Sequence, residues 1–357
     1  MLPFASQPDP TYREIINNYD IGDIRHCEFL EGGMFLKPLL VISDAGKYVL
    51  RGHSFRNTEP SFQFQAEVLA HLQRVGIRVP QIVRDSPGRL GQRRGSVFWA
   101  LHEYIVGDKY SWTAWRAAKS VPSFLEEIGS RIARVHDALA DAEPAGESSF
   151  PSFFPPIQFQ SIEAIHRQWN EDLDRLQTGT VPHAPRSRET LVTNRKEMQE
   201  YWQILREEVR SLGIYDLPRQ PVHGDVSPVN MIFEHGNLGF VLIDWDCVHL
   251  GVRLYDALGD VLNRPPRELA EHSDFDFNEV RWYLKGYQKG TGRPLSHREM
   301  ACVPAFCLAR QLEDLRQRVC LLESLREEQD EEYAMLIRGR IRMLSHISRG
   351  IKTKEIV

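Results

Sequence analysis

The segment "PVHGDVSPVNMIF", which runs from Pro221 to Phe233, places a histidine, an acid and an amide close together on one predicted loop. A second segment, "LIDWD" at 242–246, follows it, and its Asp244 lies fourteen residues after Asn230. Two β-prone runs, separated by the turn-forming letters "EHGN", occupy the interval between these two residues. Since a hairpin of that length folds back on itself, the pattern predicts that Asn230 and Asp244 lie near each other.

The side chains that this hairpin brings together are typical of a magnesium site. An amide oxygen from Asn230 and a carboxylate from Asp244 are hard oxygen ligands, and Mg²⁺ binds such ligands together with waters and phosphate oxygens. Asp225 lies five residues before Asn230 and is not needed as a ligand. A carboxylate held at that position is placed to accept a proton from a hydroxyl group. The spacing therefore indicates a catalytic Asp225 beside a metal site formed by Asn230 and Asp244.

Composition and charge argue against several other classes of protein. The chain has 357 residues, of which 42% are hydrophobic and 26% are charged, values that are ordinary for a globular protein. Its net charge of −5 argues against a nucleic-acid partner, which usually requires a basic face. The sequence shows neither the pattern of a signal peptide nor an apolar run long enough for a membrane helix. We therefore expect a cytoplasmic protein with no nucleic-acid or membrane partner, whose five scattered cysteines are reduced.

The N-terminal part of the chain combines short helices with apolar strands. A short helix is predicted at 9–19, and a longer one, with apolar residues at helical spacing, at 59–77. Strands are predicted on both sides of the turn "SDAGK" at 43–47, in which Gly46 is expected to have a positive φ. A further apolar strand is predicted at 96–107. This part of the chain is therefore β-rich.

After residue 107 the pattern becomes mainly helical. Amphipathic spacing predicts helices at 122–142 and 194–214, and almost continuous helix from about Phe277 onward. The stretch 148–159 is rich in proline and is predicted to be irregular. Together these patterns predict an α+β fold with a β-rich N-terminal lobe at 1–103 and a mostly α-helical C-terminal lobe at 109–357, joined by residues 104–108.

The letters H-G-D-x-x-x-x-N at 223–230, followed by I-D at 243–244, resemble the aminoglycoside phosphotransferase and choline kinase-like family. The segment "GVRLYDALGDVL" at 251–262 is similar to another part of that family, and the whole resemblance spans about 29–287. It implies a bilobal, protein-kinase-like fold and an ATP-dependent kinase that uses Mg²⁺ and transfers the γ-phosphate to a hydroxyl group of a small molecule. A protein kinase is not expected, because Gly224 replaces the arginine of H-R-D and "DWD" replaces D-F-G.

The same resemblance implies a nucleotide site in the N-terminal lobe. Gly32 and Gly33 match the family's phosphate-binding loop, although an apolar pair, Met34 and Phe35, follows where the family commonly has a polar residue. The segment "LHEYIVG" at 101–107 matches the hinge that offers main-chain groups to adenine. The hinge residues implied in this role are Glu103, Tyr104 and Ile105.

The resemblance also implies a cation that holds the phosphates. Arg51 on the strand "KYVLRG" matches that position, and arginine retains the positive charge of the more familiar lysine. Lys47 is the competing candidate, but it lies beside a turn, where exposure to solvent is expected. Glu67, sixteen residues after Arg51, matches the helix glutamate that pairs with this cation.

The resemblance implies a structural role for two other residues. It does not identify the compound that accepts the phosphate. His223 is expected to orient the catalytic loop through hydrogen bonds, and Asp256 to begin a helix and brace that loop. The acceptor is a small hydroxyl compound, such as an amino alcohol, a sugar or an aminoglycoside. The alternative is a catalytically inactive, pseudokinase-like nucleotide-binding protein. A metal hydrolase could use the same acids, but the N-terminal lobe and its cation would then have no function. The catalytic acid and the two metal ligands are all intact, which favours the active kinase.

Overall fold

The computed structural model describes most of the chain and shows two compact units. The described residues are 10–30, 36–53, 59–110, 112–146, 148, 161–179, 183–234, 239–259, 275–322 and 325–353. Unit 1 consists of Met1–Tyr110, Ala138–Pro151 and Pro221–Leu250. Unit 2 consists of Ser111–Asp137, Ser152–Gln220 and Gly251–Val357.

Unit 1 is built on an antiparallel sheet of six strands. Its strands follow the order β1-β2-β3-β6-β4, and β5 pairs with β6. Apolar residues such as Val41, Leu50 and Leu101 are completely buried on one side of this sheet. Two helices also belong to this part of the chain. The bounds are α1 Pro10–Ile16, β1 Ile24–Phe29, β2 Leu39–Ser43, β3 Gly46–His53, α2 Glu59–Arg74, β4 Ile82–Val83, β5 Gln92–Arg94 and β6 Val97–Glu103.

The turn between β2 and β3 sets the register of the strand that carries Arg51. Ser43 pairs with Gly46, so only two residues form the loop, and Gly46 has a φ of 151°. From that turn the strands pair in register up to Leu39 opposite Leu50. The predicted turn and the positive φ at Gly46 are confirmed.

A small hairpin in unit 1 contains the segment between Asn230 and Asp244. Strands β8 Met231–Phe233 and β9 Phe240–Leu242 pair in antiparallel register. A second two-stranded sheet joins β7 Gln220–Val222 to β10 His249–Gly251. The predicted hairpin is therefore confirmed.

The end of the predicted hinge is hydrogen-bonded to this hairpin. The main-chain N–H of Asp108 donates to the carbonyl of Phe233 at 2.9 Å, and the N–H of Phe233 donates back at 2.8 Å. A Cβ atom at Gly107 would lie 2.4 Å from the same carbonyl, so a glycine is required for this close approach. Both partners of this contact lie in unit 1, and the division into lobes at 104–108 stays a prediction.

Unit 2 is helical. Its core contains large aromatic side chains that are completely buried, among them Trp169, Trp202, Tyr283 and Tyr287. The long helices α7, α10 and α11 pack on one another, and α6 packs on α11. The bounds are α3 Trp112–Lys119, α4 Pro122–Leu139, α5 Ile162–Thr178, α6 Pro185–Thr193, α7 Arg195–Leu212, α8 Arg253–Ala257, α9 Phe277–Gly290, α10 His297–Leu321 and α11 Asp330–Thr353.

The predicted helices of this unit agree with the structure, with small differences at their ends. The helix predicted at 122–142 ends at Leu139, and the one predicted at 194–214 ends at Leu212 because Gly213 adopts a left-handed φ of 59°. Helices α3, α5 and α6 were not predicted. The irregular stretch predicted at 148–159 lies, apart from residue 148, outside the described residues.

The described elements confirm the α+β class, with a β-rich N-terminal part and a mostly helical C-terminal part. None of the helices in the described part of the chain combines the length and the apolar character that crossing a membrane requires.

Candidate functional site

His223 joins the catalytic loop to the end of the hairpin. The main-chain N–H of Asp225 donates to Nδ1 of His223 at 3.2 Å, and Nε2 of His223 lies 3.0 Å from the carbonyl oxygen of Ile243. Because Nδ1 accepts a hydrogen bond, the proton of the neutral ring is on Nε2, which donates to Ile243. The ring also packs edge-to-face on Trp245, with centroids 4.6 Å apart. His223 therefore orients the loop, as predicted.

Gly224 is required by the shape of this loop. Its φ is 82°, in the left-handed region that side chains with a Cβ atom rarely adopt. A Cβ atom there would lie 2.3 Å from the carbonyl oxygen of Cys247 and 2.9 Å from Nδ1 of His249. The glycine of the H-G-D letters therefore permits a close approach of two backbone segments.

Asn230 is oriented by Asp225. Its amide nitrogen donates to both the main-chain carbonyl and the carboxylate Oδ2 of Asp225, each at 2.9 Å. Both partners are acceptors, so the NH₂ group must face Asp225. The amide oxygen of the buried Asn230 therefore points away from Asp225. Asp225 itself is only half-buried, in contrast to most of its neighbours on the loop.

The hairpin places Asp244 next to Asn230 along the backbone ladder. The main-chain N–H of Ile243 donates to the carbonyl of Asn230 at 2.9 Å. Asp244 follows directly, with φ 64° and ψ 59°, and it is the only non-glycine residue with a positive φ in the described part of the chain. Such a conformation costs free energy and is frequent at functional sites. The two predicted metal ligands are therefore brought to the same end of the hairpin.

Arg51 contacts two carboxylates of this segment. Its Nη2 donates to Oδ1 of Asp244 at 2.6 Å and to Oδ2 of Asp246 at 3.2 Å. Burial acts to lower the pKa of Arg51, but the negative charges of Asp246 and Asp244 outweigh it, and the pKa is raised. Nε and Nη1 of Arg51 keep N–H groups that have no partner among the described residues.

The expected pair between Arg51 and Glu67 is not formed. Glu67 is half-buried on α2, where its carboxylate accepts a hydrogen bond from Gln63 at 2.8 Å. Within the described residues, the carboxylate partners of Arg51 are Asp244 and Asp246. The physical reason is that the left-handed backbone at Asp244 places the carboxylates of Asp244 and Asp246 within hydrogen-bonding distance of the guanidinium. Lys47 is exposed, as predicted.

Asp246 and His53 are functional candidates that the sequence reasoning missed. Asp246 Oδ2 lies 3.2 Å from Nδ1 of His53, whose side chain is completely buried. Burial acts to raise the pKa of Asp246, but the charges of Arg51 and His53 outweigh it, and the pKa is lowered. Two signals were available: the second acid of "LIDWD", and a histidine two residues after Arg51, which a strand places on the same face.

Lys109 is a third missed residue. Partial burial lowers the pKa of its ammonium group, the negative charge of Asp244 acts to raise it, and the positive charge of Arg51 lowers it further. Lys109 is thus electrostatically linked to both residues, and it lies one position beyond the predicted hinge.

The hinge residues use most of their main-chain donors inside the protein. The N–H of Glu103 donates to the carbonyl of Gln81, and that of Tyr104 to the carbonyl of Lys47. The N–H of Ile105 has no partner among the described residues, and its side chain packs on the hairpin beside Ile232. Of the three, Ile105 therefore has the donor that an adenine ring would use. The predicted phosphate-loop residues Gly32 and Gly33 lie outside the described residues.

Asp256 differs from its predicted position. It lies inside α8, whose N-cap is Val252, instead of beginning a helix. It is buried in unit 2, with its Oδ2 3.4 Å from Nε2 of His136, and Nδ1 of His136 lies 2.7 Å from the hydroxyl of Tyr287. Its described contacts are thus with the helices of unit 2.

The donor atoms at the hairpin fit a magnesium ion. Among the described residues, no group of three or more histidine, cysteine, aspartate or glutamate side chains is arranged to hold a metal. Asn230 and Asp244 form a smaller set of one amide and one carboxylate oxygen, which suits an ion that keeps waters and binds phosphate oxygens. The second carboxylate oxygen of Asp244 has no partner among the described residues.

Sequence comparison finds kinases over most of the chain. A profile described as the phosphotransferase enzyme family matches residues 29–295. A homoserine kinase of Methylocella silvestris is 24% identical over 241 residues, which cover 65% of this chain and 63% of that kinase. A homoserine kinase of Polaromonas naphthalenivorans is 25% identical over 288 residues, which cover 80% and 79%. The chain thus spans less than two thirds of the first relative and about four fifths of the second.

Structural comparison finds the same fold. Amicoumacin kinase hAmiN, solved in complex with AMP-PNP, Ca²⁺ and Ami, has a TM-score of 0.65 and 16% identity, with 98% of this chain and 94% of that chain covered. An aminoglycoside phosphotransferase from Alicyclobacillus acidocaldarius has a TM-score of 0.64 and 14% identity, with 99% and 100% covered. At such low identity these likenesses show the fold alone, and they confirm the predicted protein-kinase-like architecture.

Proposed function

Because the chain belongs to the phosphotransferase enzyme family, we propose that it transfers the γ-phosphate of ATP to a hydroxyl group of a small polar molecule. The observation that carries this proposal is the continuous set of contacts from Asp225 to Arg51. Asp225 holds the amide of Asn230, the backbone of Asn230 holds the residue before Asp244, and Asp244 accepts a hydrogen bond from Arg51. A base, two metal ligands and a phosphate-binding cation are thereby linked within unit 1.

Asp225 is assigned the role of base. Its carboxylate is half-buried on a loop of mostly buried residues, and its Oδ2 is held by the amide of Asn230. An acceptor hydroxyl that donates to this carboxylate is aligned for attack. It loses its proton to the carboxylate as its oxygen bonds to the γ-phosphorus, while the bond from that phosphorus to the bridging oxygen breaks and ADP leaves. Phosphoryl transfer depends mainly on such positioning and on neutralising charge.

Arg51, Asn230 and Asp244 are assigned to the phosphates and their metal. The N–H groups on Nε and Nη1 of Arg51, which have no partner in the described part of the chain, suit two phosphate oxygens at once. Asn230 and Asp244 would hold Mg²⁺, which neutralises negative charge on the phosphates when it is bound. The main-chain N–H of Ile105 would donate to adenine, and Gly32–Gly33 and Glu67 stay predicted members of the nucleotide site.

Homoserine is the first candidate for the acceptor. Two relatives that align with 65% and 80% of the chain are named homoserine kinases. An amino acid with a hydroxyl side chain also falls within the class of small polar hydroxyl compounds implied by the sequence. Amino alcohols such as choline, and aminoglycosides, are the next candidates.

The experiment that tests this function is an ADP-release assay on the purified chain with ATP and Mg²⁺. Each acceptor is supplied separately, and reactions with no acceptor and with EDTA are the controls. We expect turnover that requires both a hydroxyl acceptor and the metal. Nucleotide binding without turnover on any acceptor would favour the inactive, pseudokinase-like alternative, and ATP hydrolysis without an acceptor would favour a hydrolase.

A further inference from the structure

Two buried histidines lie behind Arg51 and have no role in the proposed reaction. His53 is completely buried, and His102 is 5% exposed. Their Nε2 atoms lie 3.5 Å apart, and Nδ1 of His53 lies 3.2 Å from Oδ2 of Asp246. Burial lowers the pKa of His102 well below its usual range, with the charges of His53 and Arg51 adding to the effect. A polar chain of this kind, buried in unit 1, needs an explanation because burying polar groups costs free energy.

The chain of contacts ends on the guanidinium of Arg51. Oδ2 of Asp246 lies 3.2 Å from both Arg51 Nη2 and His53 Nδ1, so one oxygen joins the two side chains. The order of contacts is therefore Arg51, Asp246, His53 and His102.

Aromatic packing fixes the two histidines at the far end of this series of contacts. The ring of His53 packs edge-to-face on Phe62 of α2, with centroids 4.9 Å apart, and lies beside Phe98 of β6. His102 belongs to β6 and also packs against Phe62. The histidines thus have few orientations available, and the hydrogen bond to Asp246 has a defined direction.

We propose that Asp246, held by His53 and His102, is the positioning residue for the phosphate-binding Arg51. Asp246 occupies one corner of the guanidinium, so that the N–H groups on Nε and Nη1 keep a fixed direction toward the nucleotide. The family resemblance implies this role for Glu67 on α2, but the carboxylate of Glu67 accepts a hydrogen bond from Gln63 instead. The inference rests on the proposed function, since it concerns how that nucleotide site is held.

A double-mutant cycle on the full-length protein tests the inference. The affinity for AMP-PNP with Mg²⁺ is measured by calorimetry for the wild type, Asp246→Asn, Arg51→Ala and the double variant. We expect each single variant to bind about tenfold more weakly, and the double variant no more weakly than Arg51→Ala alone, because residues in one network are not additive. Asp44→Asn is the matched control, since Asp44 also pairs with an arginine, Arg25, but on the surface of the same unit.

Two further measurements separate positioning from a general structural role. His53→Phe keeps the aromatic packing and removes the hydrogen bond to Asp246, and we expect it to weaken binding about threefold while thermal melting stays cooperative. Asp246→Glu keeps the charge, and we expect it to bind more tightly than Asp246→Asn. If Asp246→Asn does not fold, His53→Phe replaces it in the cycle with Arg51→Ala, again with a non-additive result expected.

Three results would overturn the inference. The first is that the losses of AMP-PNP affinity in the two single variants add up in the double variant, and that adding Asp246→Asn to Arg51→Ala raises the Mg²⁺ concentration needed for binding. That result would mean that Asp246 binds the metal independently of Arg51. The second is a larger loss for Glu67→Gln than for Asp246→Asn, and the third is an Asp246→Asn variant that binds like the wild type. A wild-type protein that binds no nucleotide would instead reject the proposed function itself, so the two failures are distinguishable.

Discussion

Two clusters of arginine and aspartate, one in each unit, are built in different ways. In unit 1, Arg51 on β3 contacts Asp244, which lies 193 residues later in the sequence. In unit 2, Asp314 on α10 contacts Arg318 one helical turn later, and Arg340 on α11, each at 2.8 Å. The first cluster depends on a left-handed aspartate, whereas the second uses regular helix spacing.

We interpret this difference as one between the proposed functional site and a structural support. The unit 1 cluster contains a positive φ at Asp244, and the buried Oδ1 of Asp246 has no hydrogen-bond partner among the described residues. Both features cost free energy, and natural proteins keep such features mainly where function requires them. The unit 2 cluster joins two helices with regular helical backbone at Asp314, although the buried Nε of Arg340 also has no well-aligned hydrogen bond among the described residues. Changes to the first should therefore alter phosphoryl transfer, and changes to the second should alter stability.

The largest effect is expected for Asp225→Asn. The amide keeps the shape of the side chain but cannot act as the base, so turnover should fall at least ~10²-fold, the lower end for a positioned general base. Binding of ATP with Mg²⁺ should stay close to that of the wild type. Steady-state kinetics and calorimetry measure the two quantities, and a variant that retains most of its activity would show that this loop is not catalytic.

A second large effect is expected for Asp244→Asn. Asparagine tolerates the left-handed region, so the variant removes the charge with little change of backbone. Loss of a metal ligand should weaken Mg²⁺-dependent binding of ATP about tenfold or more. The measurement is the ratio of ATP affinities with Mg²⁺ and with EDTA, which should shrink in the variant, and an unchanged ratio would remove Asp244 from the metal site.

A loss of affinity of similar size is expected for Arg51→Ala. Removing hydrogen bonds from a charged group to phosphate costs about 1.5–3 kcal/mol, which corresponds to about tenfold or more in affinity. Lys47→Ala is the control, because Lys47 is exposed on the same strand and should change the affinity little. If Lys47→Ala proves the more damaging change, Arg51 is not the phosphate-binding cation.

The smallest effect on catalysis is expected in unit 2, for Asp314→Asn. Burial acts to raise the pKa of Asp314, but Arg340 and Arg318 outweigh it and lower the pKa. The stabilisation from this carboxylate is therefore present above the unfolded pKa of about 3.9, and it is lost as the pH falls through the lower folded pKa. At pH 7 the variant should lose about 1–2 kcal/mol of stability, with KM and kcat unchanged.

Urea unfolding of Asp314→Asn and the wild type at pH 7 and near pH 3 checks this expectation. The two proteins should differ less at the lower pH. An equal difference at both pH values would show that packing, and not the charge of Asp314, is responsible.

The local pattern of the sequence predicted the elements that carry the site. Two-residue turn chemistry predicted the β2–β3 connection and thereby the strand of Arg51, and the β-prone runs predicted the hairpin after Asn230. Membership of the phosphotransferase enzyme family and the fold class agree with the resemblance seen in the letters of 223–244. Helix ends were less accurate, since α7 ends at Leu212, where Gly213 adopts a left-handed conformation.

The partner of Arg51 could not be predicted in this way. Glu67 lies at the expected position in the sequence, yet its carboxylate binds Gln63, and Asp246 takes the place beside the arginine. The pairing of Asp108 with Phe233 is likewise a long-range contact that no local pattern contains.

The sequence by itself determined which chemical groups this protein has and which short elements carry them, because turn residues, strand alternation and the H-G-D-x-x-x-x-N letters act over a few neighbouring positions. Only the tertiary structure decided which two of three acids contact Arg51, and that two buried histidines lie behind Asp246. The physical reason is that hydrogen bonds and ion pairs depend on distances of about 3 Å between side chains. Those distances are set by the packing of segments nearly two hundred residues apart, and no local pattern contains them.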